Sequence, residues 1–153
     1  LIHRLLELLP SRPEETWAED AQHLVASARQ QLGDEECAEI VRAALDFLRN
    51  PQYKDLFSAE SRAEVAIQGQ IGKSTVSGVI DRLVVSPDLV TIAEFKTSRW
   101  SPASPSDIPD PHRRQAEIYG QLVSEIYPGR GVRSLLIYTT APKVFDLSKD
   151  GAP

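Results

Sequence analysis

The sequence predicts an α/β fold: a mixed central sheet flanked by helices, with an N-terminal helical segment. Three observations carry this. Apolar residues recur at helical spacings through the first third, the period changes to two near residue 64, and one long helical stretch separates a third β-rich run from a fourth. Helices, three strands, a helix and a strand, in that order, describe a sheet with both pairing directions. At 153 residues, 41% hydrophobic and 25% charged, the chain lies in the globular range and is long enough for a core without disulfides. It is expected to form one domain over 1–153, with a helical segment over 1–58 and an α/β core over 59–153.

The helices come first. Leu1, Leu5, Leu8 and Leu9 form a stripe that Pro10 stops. Ser11-Arg12-Pro13-Glu14 reads as a capping box with proline at the first helical position. Trp17, Ala21, Leu24, Val25 and Ala28 then follow until Gly33. Asp34 is expected to cap a third helix whose buried face carries Cys37, Ile40, Val41, Ala44 and Leu48, broken at Asn50-Pro51.

From Val65, Ile67 and Ile71 the alternation is that of a strand. Residues 76–85 and 89–95 are β-branched runs on either side of Ser86-Pro87-Asp88, a tight turn, and so pair antiparallel. Four prolines mark a loop over 101–111, residues 112–127 read as a helix, 132–138 as a strand and 144–147 as a short one.

Composition excludes several functions. No apolar run approaches the roughly 18 residues of a membrane span. The single cysteine, Cys37, rules out an internal disulfide, a four-cysteine zinc site and a self-contained iron–sulfur cluster, and suits a reducing compartment. The net charge of −5 resides in the front: residues 1–64 hold 7 Lys/Arg against 13 Asp/Glu, and residues 65–153 hold 10 against 9. Gly72-Lys73-Ser74 is not a phosphate loop, because Ile67 stands where that motif needs glycine and the segment joins two strands; it reads as a hairpin turn. With no methionine and a start at Leu1 inside an apolar stripe, the sequence is expected to be a piece of a longer protein.

The chemistry concentrates on the second and third strands. Asp81 interrupts the apolar run Gly78-Val79-Ile80-Asp81-Arg82-Leu83, where an acid is costly unless something binds it. Glu94 and Lys96, two apart, point to one face of the next strand, and Phe95 to the other. Residues 81 and 94 are equidistant from the turn, so two carboxylates and an ammonium meet on one patch. Such a pair suits a hard divalent cation such as magnesium, with the lysine orienting or deprotonating a bound water. A buried ion-pair cluster without a substrate is the competing reading at this point.

Asp81, then Glu94-Phe95-Lys96, then Gln115-Ala116-Glu117-Ile118-Tyr119 stand in the order of a known pattern, an acid, E-x-K and Q-x-x-x-Y. The sequence thereby resembles the PD-(D/E)XK nuclease superfamily, with its restriction-endonuclease-like core, and within it the RecB-like nuclease domains. His3 in Leu1–Leu9 matches an upstream helical histidine of that family, and Glu64 an acid that opens its first strand. Residues 1–9, 78–85 and 94–98 are most similar to the C-terminal nuclease domain of the AddA helicase–nuclease subunit. Too few cysteines are present for the iron–sulfur cluster of AddB-type relatives. Ile80, not proline, precedes Asp81, as is usual in the RecB-like branch.

The resemblance implies metal ligation by His3, Asp81, Glu94 and the Phe95 backbone carbonyl. Lys96 would activate the water or hold the attacked phosphate, while Gln115 and Tyr119, on one helix face, would contact the DNA backbone or orient Lys96. It further implies magnesium, replaceable by manganese, no iron–sulfur cluster, and ATP only in an absent helicase part. The expected function is hydrolysis of single-stranded DNA during double-strand-break end processing in the bacterial cytoplasm. The expected partners are DNA, the helicase part of the same polypeptide and an AddB-type subunit, without a membrane. The alternatives are a catalytically inert nuclease-fold DNA-binding or interaction module and a free-standing exonuclease. His112, Arg113 and Arg114 read either as phosphate contacts or as a solvated first turn. Trp100, beside Arg99, reads either as a base-stacking platform or as packed under its own loop. His23 and Cys37 read as scaffold.

Overall fold

The computed structural model describes residues 1–98, 100–139 and 143–148. Its chain divides into two units, Leu1–Phe57 and Ser58–Pro153.

The first unit is helical: α1 (Ile2–Leu8), α2 (Trp17–Val25), α3 (Arg29–Leu32) and α4 (Asp34–Arg49). The α4 stripe buries Cys37, Val41, Ala44, Leu45, Phe47 and Leu48, and both α1 and α2 pack on this helix. Three local expectations need correction. Ser11 Oγ donates to the Leu8 carbonyl at 2.7 Å, so it closes the preceding turn and forms no capping box. The helix expected up to Gly33 is interrupted by a 3₁₀ turn at Ala26–Ala28. Gly33, with φ of 83°, occupies the N-cap of α4 and makes Asp34 its first helical residue. Asn50-Pro51 ends α4 because the residue before proline disfavours helical backbone; Asn50 is extended, with ψ of 117°.

The second unit carries one five-stranded sheet in the order β1-β2-β3-β4-β5: β1 (Ser61–Ile71), β2 (Ser74–Val85), β3 (Leu89–Lys96), β4 (Gly131–Tyr138) and β5 (Lys143–Asp146). The β1–β2, β2–β3 and β4–β5 pairs are antiparallel, and β3–β4 is parallel. That parallel pair needs a long crossover, which α5 (Asp110–Ile126) supplies. The mixed sheet expected from the sequence is therefore present. β1 starts four residues before Val65, since its polar opening, Ser61 to Glu64, hides the strand signal. Gly72, with φ of 62°, makes the two-residue turn between Ile71 and Ser74, so Gly72-Lys73 is the hairpin tip.

Tyr119, Leu122 and Val123 of α5 pack on Ile67, Ile80, Leu83, Val90 and Ile92. Ile80 and Leu83 are three apart yet share this core, while the β1–β2 register runs unbroken past them. Asp81 and Arg82 lie between the two. No helix among the described residues is long and apolar enough to cross a membrane.

Candidate active site

The site begins where regular pairing ends. The β2–β3 ladder runs from Val85↔Val90 to Arg82↔Ala93 and stops, which leaves Asp81 across from Glu94. Beyond that point side chains replace carbonyls as acceptors. The Phe95 N–H donates to Asp81 Oδ2 at 2.7 Å, and the Asp81 N–H donates to Glu94 Oε1 at 3.3 Å. The two carboxylates thus splay the strands while satisfying their backbone donors. A strand residue sends its N–H and C=O to the same side, so the Phe95 carbonyl is directed toward β2 as well.

Glu94 is 3% exposed. Burial, and then the Asp81 charge, push its pKa up to about 7, with Lys96 acting in the opposite direction. Lys96 Nζ lies 3.6 Å from Glu94 Oε2 and donates to Gln115 Oε1 at 2.6 Å. Gln115 Nε2 in turn donates to Tyr119 Oη at 3.4 Å. Glu94, Lys96, Gln115 and Tyr119 therefore form one chain of contacts from β3 to α5. Tyr119 is buried and lies against Gly78 of β2: a Cβ at Gly78 would stand 2.2 Å from the phenol oxygen. It props Gln115 rather than facing solvent.

Glu64 is not at the opening of its strand. It sits inside β1, opposite Asp81 in a ladder that pairs Ala63 with Arg82 and Val65 with Ile80. Its φ of 51° is left-handed, uncommon and costly for a residue with a Cβ, and such strain clusters at functional sites. Nothing in the local sequence announces this conformation.

His3 lies on α1 in the first unit, half-buried. The cluster His112, Arg113 and Arg114 is divided by the structure. His112 Nδ1 meets Tyr138 Oη at 2.8 Å, Arg113 is hydrogen-bonded to the Pro105 carbonyl of the proline loop, and Arg114 is exposed. Trp100 is 54% exposed, so it does not pack under its loop; Arg99 lies outside the described residues. The role of Tyr138 has no sequence signal, because only the β3–β4 register brings it beside Lys96. In the first unit a cleft of about 570 Å³, lined by Arg29, Cys37, Val41 and Arg42 among others, contains none of the motif residues.

A model of the PD-(D/E)XK nuclease superfamily matches residues 1–150. The chain belongs to the PD-(D/E)XK nuclease superfamily. No curated protein is a significant sequence match. Among solved structures, a protein of Eubacterium rectale described as a candidate exonuclease aligns with a TM-score of 0.57 at 12% identity, over 92% of this chain and 58% of its own. Protein SSO0001 aligns with a TM-score of 0.42 at 18% identity, over 84% of this chain and 64% of its own. Protein VC1899 of Vibrio cholerae aligns with a TM-score of 0.42 at 15% identity, over 90% and 47%. The chain thus spans between about half and two thirds of the length of these structures.

PD-(D/E)XK nucleases generally use divalent metals. Among the described residues no group of three or more His, Cys, Asp or Glu is placed to hold a metal, so protein side chains alone do not make a closed cage. What β2 and β3 offer is two carboxylates and a backbone carbonyl, all oxygen donors. Burial first, and the neighbouring Asp81 charge second, raise the Glu94 pKa, with Lys96 offsetting part of that rise. Such a donor set fits a hard divalent cation that keeps several waters.

Proposed function

We propose that this chain is a magnesium-dependent deoxyribonuclease domain that hydrolyses phosphodiester bonds of single-stranded DNA. It would serve as the nuclease part of an AddA-type helicase–nuclease with an AddB-type partner, in the processing of double-strand breaks in the bacterial cytoplasm. The observation that carries the reading is the Asp81–Glu94 carboxylate pair at the end of the β2–β3 ladder, with Lys96 Nζ 3.6 Å from Glu94. The AddA context rests on the motif resemblance, as does His3 as a further ligand. ATP belongs to the helicase part and has no role in this domain.

Asp81, Glu94 and the Phe95 carbonyl would hold magnesium, or manganese in its place, which when bound supplies charge neutralisation at the phosphate and a more acidic water. Lys96 is held by Gln115 on one side and Glu94 on the other, so its ammonium has a fixed position from which to orient the attacking water or the phosphate. Glu94, whose pKa burial pushes up to about 7, would hold such a cation as a carboxylate, with its proton released.

Cleavage of an end-labelled single-stranded oligonucleotide in magnesium or manganese tests the proposal. Wild type should cut, and Asp81→Ala and Lys96→Ala should each lose at least about a hundredfold in rate with the fold retained. Full activity in either variant would overturn it. A folded wild type that binds DNA and cuts nothing would instead favour the inert module.

A further inference from the structure

The first turn of α5 brings one more group to this site. His112 and Gln115 are three apart and share a helix face, and Gln115 is the residue that bonds Lys96. From the sheet side, Tyr138 of β4 stands beside Lys96 of β3 in the parallel register. The imidazole is thus fixed to the end of β3 by two routes, the helix that carries it and the phenol that bonds it at 2.8 Å.

That phenol is a rigid anchor. Tyr138 is 0% exposed, packs with Ile108 and Leu136, and meets Phe145 edge-on at 5.9 Å. Burial raises its pKa, so it stays a protonated phenol. His112 is only partly buried; desolvation and then the Lys96 charge lower its pKa and keep the ring neutral. With the Tyr138 hydroxyl as donor, Nδ1 accepts and the ring proton stands on Nε2. Among the described residues Nε2 has no partner of its own.

We propose that His112 is a further substrate-contacting residue of this site, its Nδ1 held by Tyr138 and its Nε2–H donated to a phosphate oxygen of the bound strand. A neutral donor beside Lys96 adds a contact to an anionic oxygen without the repulsion a second cation would meet there. Arg113, the neighbouring cation, is hydrogen-bonded to the Pro105 carbonyl, and its charge also reaches the Tyr138 phenol. Tyr138 acts through His112 and is a positioning residue. The inference rests on the nuclease reading for its substrate, a phosphodiester strand.

Three variants of the whole chain test it: His112→Ala, His112→Gln and Tyr138→Phe, each checked for fold by circular dichroism. The readouts are steady-state cleavage of a single-stranded oligonucleotide, and equilibrium binding of the same oligonucleotide with a chelator present, which needs no cleavage. His112→Ala should raise both KM and Kd about tenfold and leave kcat nearly unchanged. His112→Gln, which keeps a donor near the Nε2 position, should recover most of that loss, and Tyr138→Phe should fall between. Nitrogen-15 spectra of the ring should show the neutral Nε2–H form in the wild type. Unchanged KM and Kd in His112→Ala, or an Nδ1–H ring, would overturn the proposal. If wild type cuts no better than Asp81→Ala, the nuclease reading fails; binding and the ring spectrum then decide the role of His112 alone.

Discussion

Asp81 and Glu94 face each other at the point where the β2–β3 ladder ends, and each carboxylate accepts a backbone N–H from the opposite strand. Both acids therefore perform a structural task, holding β3 to β2 beyond the last pair of their ladder. The same arrangement concentrates negative charge, which a cation would relieve. Removing either acid affects strand closure and charge together, so the variants must separate the two.

Metal binding should be coupled to proton release. Because the Glu94 pKa is pushed up to about 7 by burial and by Asp81, the proton must leave before the carboxylate ligates fully. Calorimetry with magnesium or manganese should show affinity rising as pH is raised through about 7, with buffer-dependent heats from the released proton. Asp81→Ala should abolish binding. A pH-independent affinity would place the cation elsewhere.

Glu94 should also make the metal-free fold less stable in alkali. A folded-state pKa above the ordinary carboxylate value means that its contribution to stability is complete below about 4.5 and lost as pH rises through about 7. Glu94→Gln keeps an acceptor for the Asp81 N–H and removes that titration. At a pH well above 7 it should exceed the wild type in denaturant unfolding by up to about 3 kcal/mol, and the gap should close on acidification.

Gln115→Ala should act on the lysine. Without the 2.6 Å bond, Lys96 Nζ is left to Glu94 alone and loses its fixed position. The expected result is a kcat about 10- to 100-fold lower with KM little changed, measured by steady-state cleavage. A change confined to KM would make Gln115 a strand contact instead.

Gly78→Ala tests the support beneath this lysine. The added methyl would stand 2.2 Å from the Tyr119 oxygen and 2.8 Å from its ring carbons, and that ring is buried between α5 and the sheet. Denaturant unfolding should show a loss of about 1–3 kcal/mol, accompanied by a lower kcat as the Tyr119–Gln115 contact shifts. An unperturbed stability would mean that the phenol swings aside freely.

What the sequence by itself determined is local. The acid in an apolar strand, the i, i+2 pair Glu94 and Lys96, and the i, i+4 pair Gln115 and Tyr119 are all legible because strand and helix periods dictate which neighbours share a face. The turn Ser86-Pro87-Asp88 even set the register that brings Asp81 to Glu94, since a short hairpin leaves little freedom in pairing. Tertiary structure decided the rest. The left-handed Glu64 comes opposite Asp81 only through the β1–β2 pairing, and Tyr138 reaches His112 across 26 positions only through the parallel β3–β4 pairing. Gly78 admits the Tyr119 ring only once α5 has settled on the sheet. Such contacts join elements whose relative placement comes from the packing of a whole core, and no spacing along the chain encodes them.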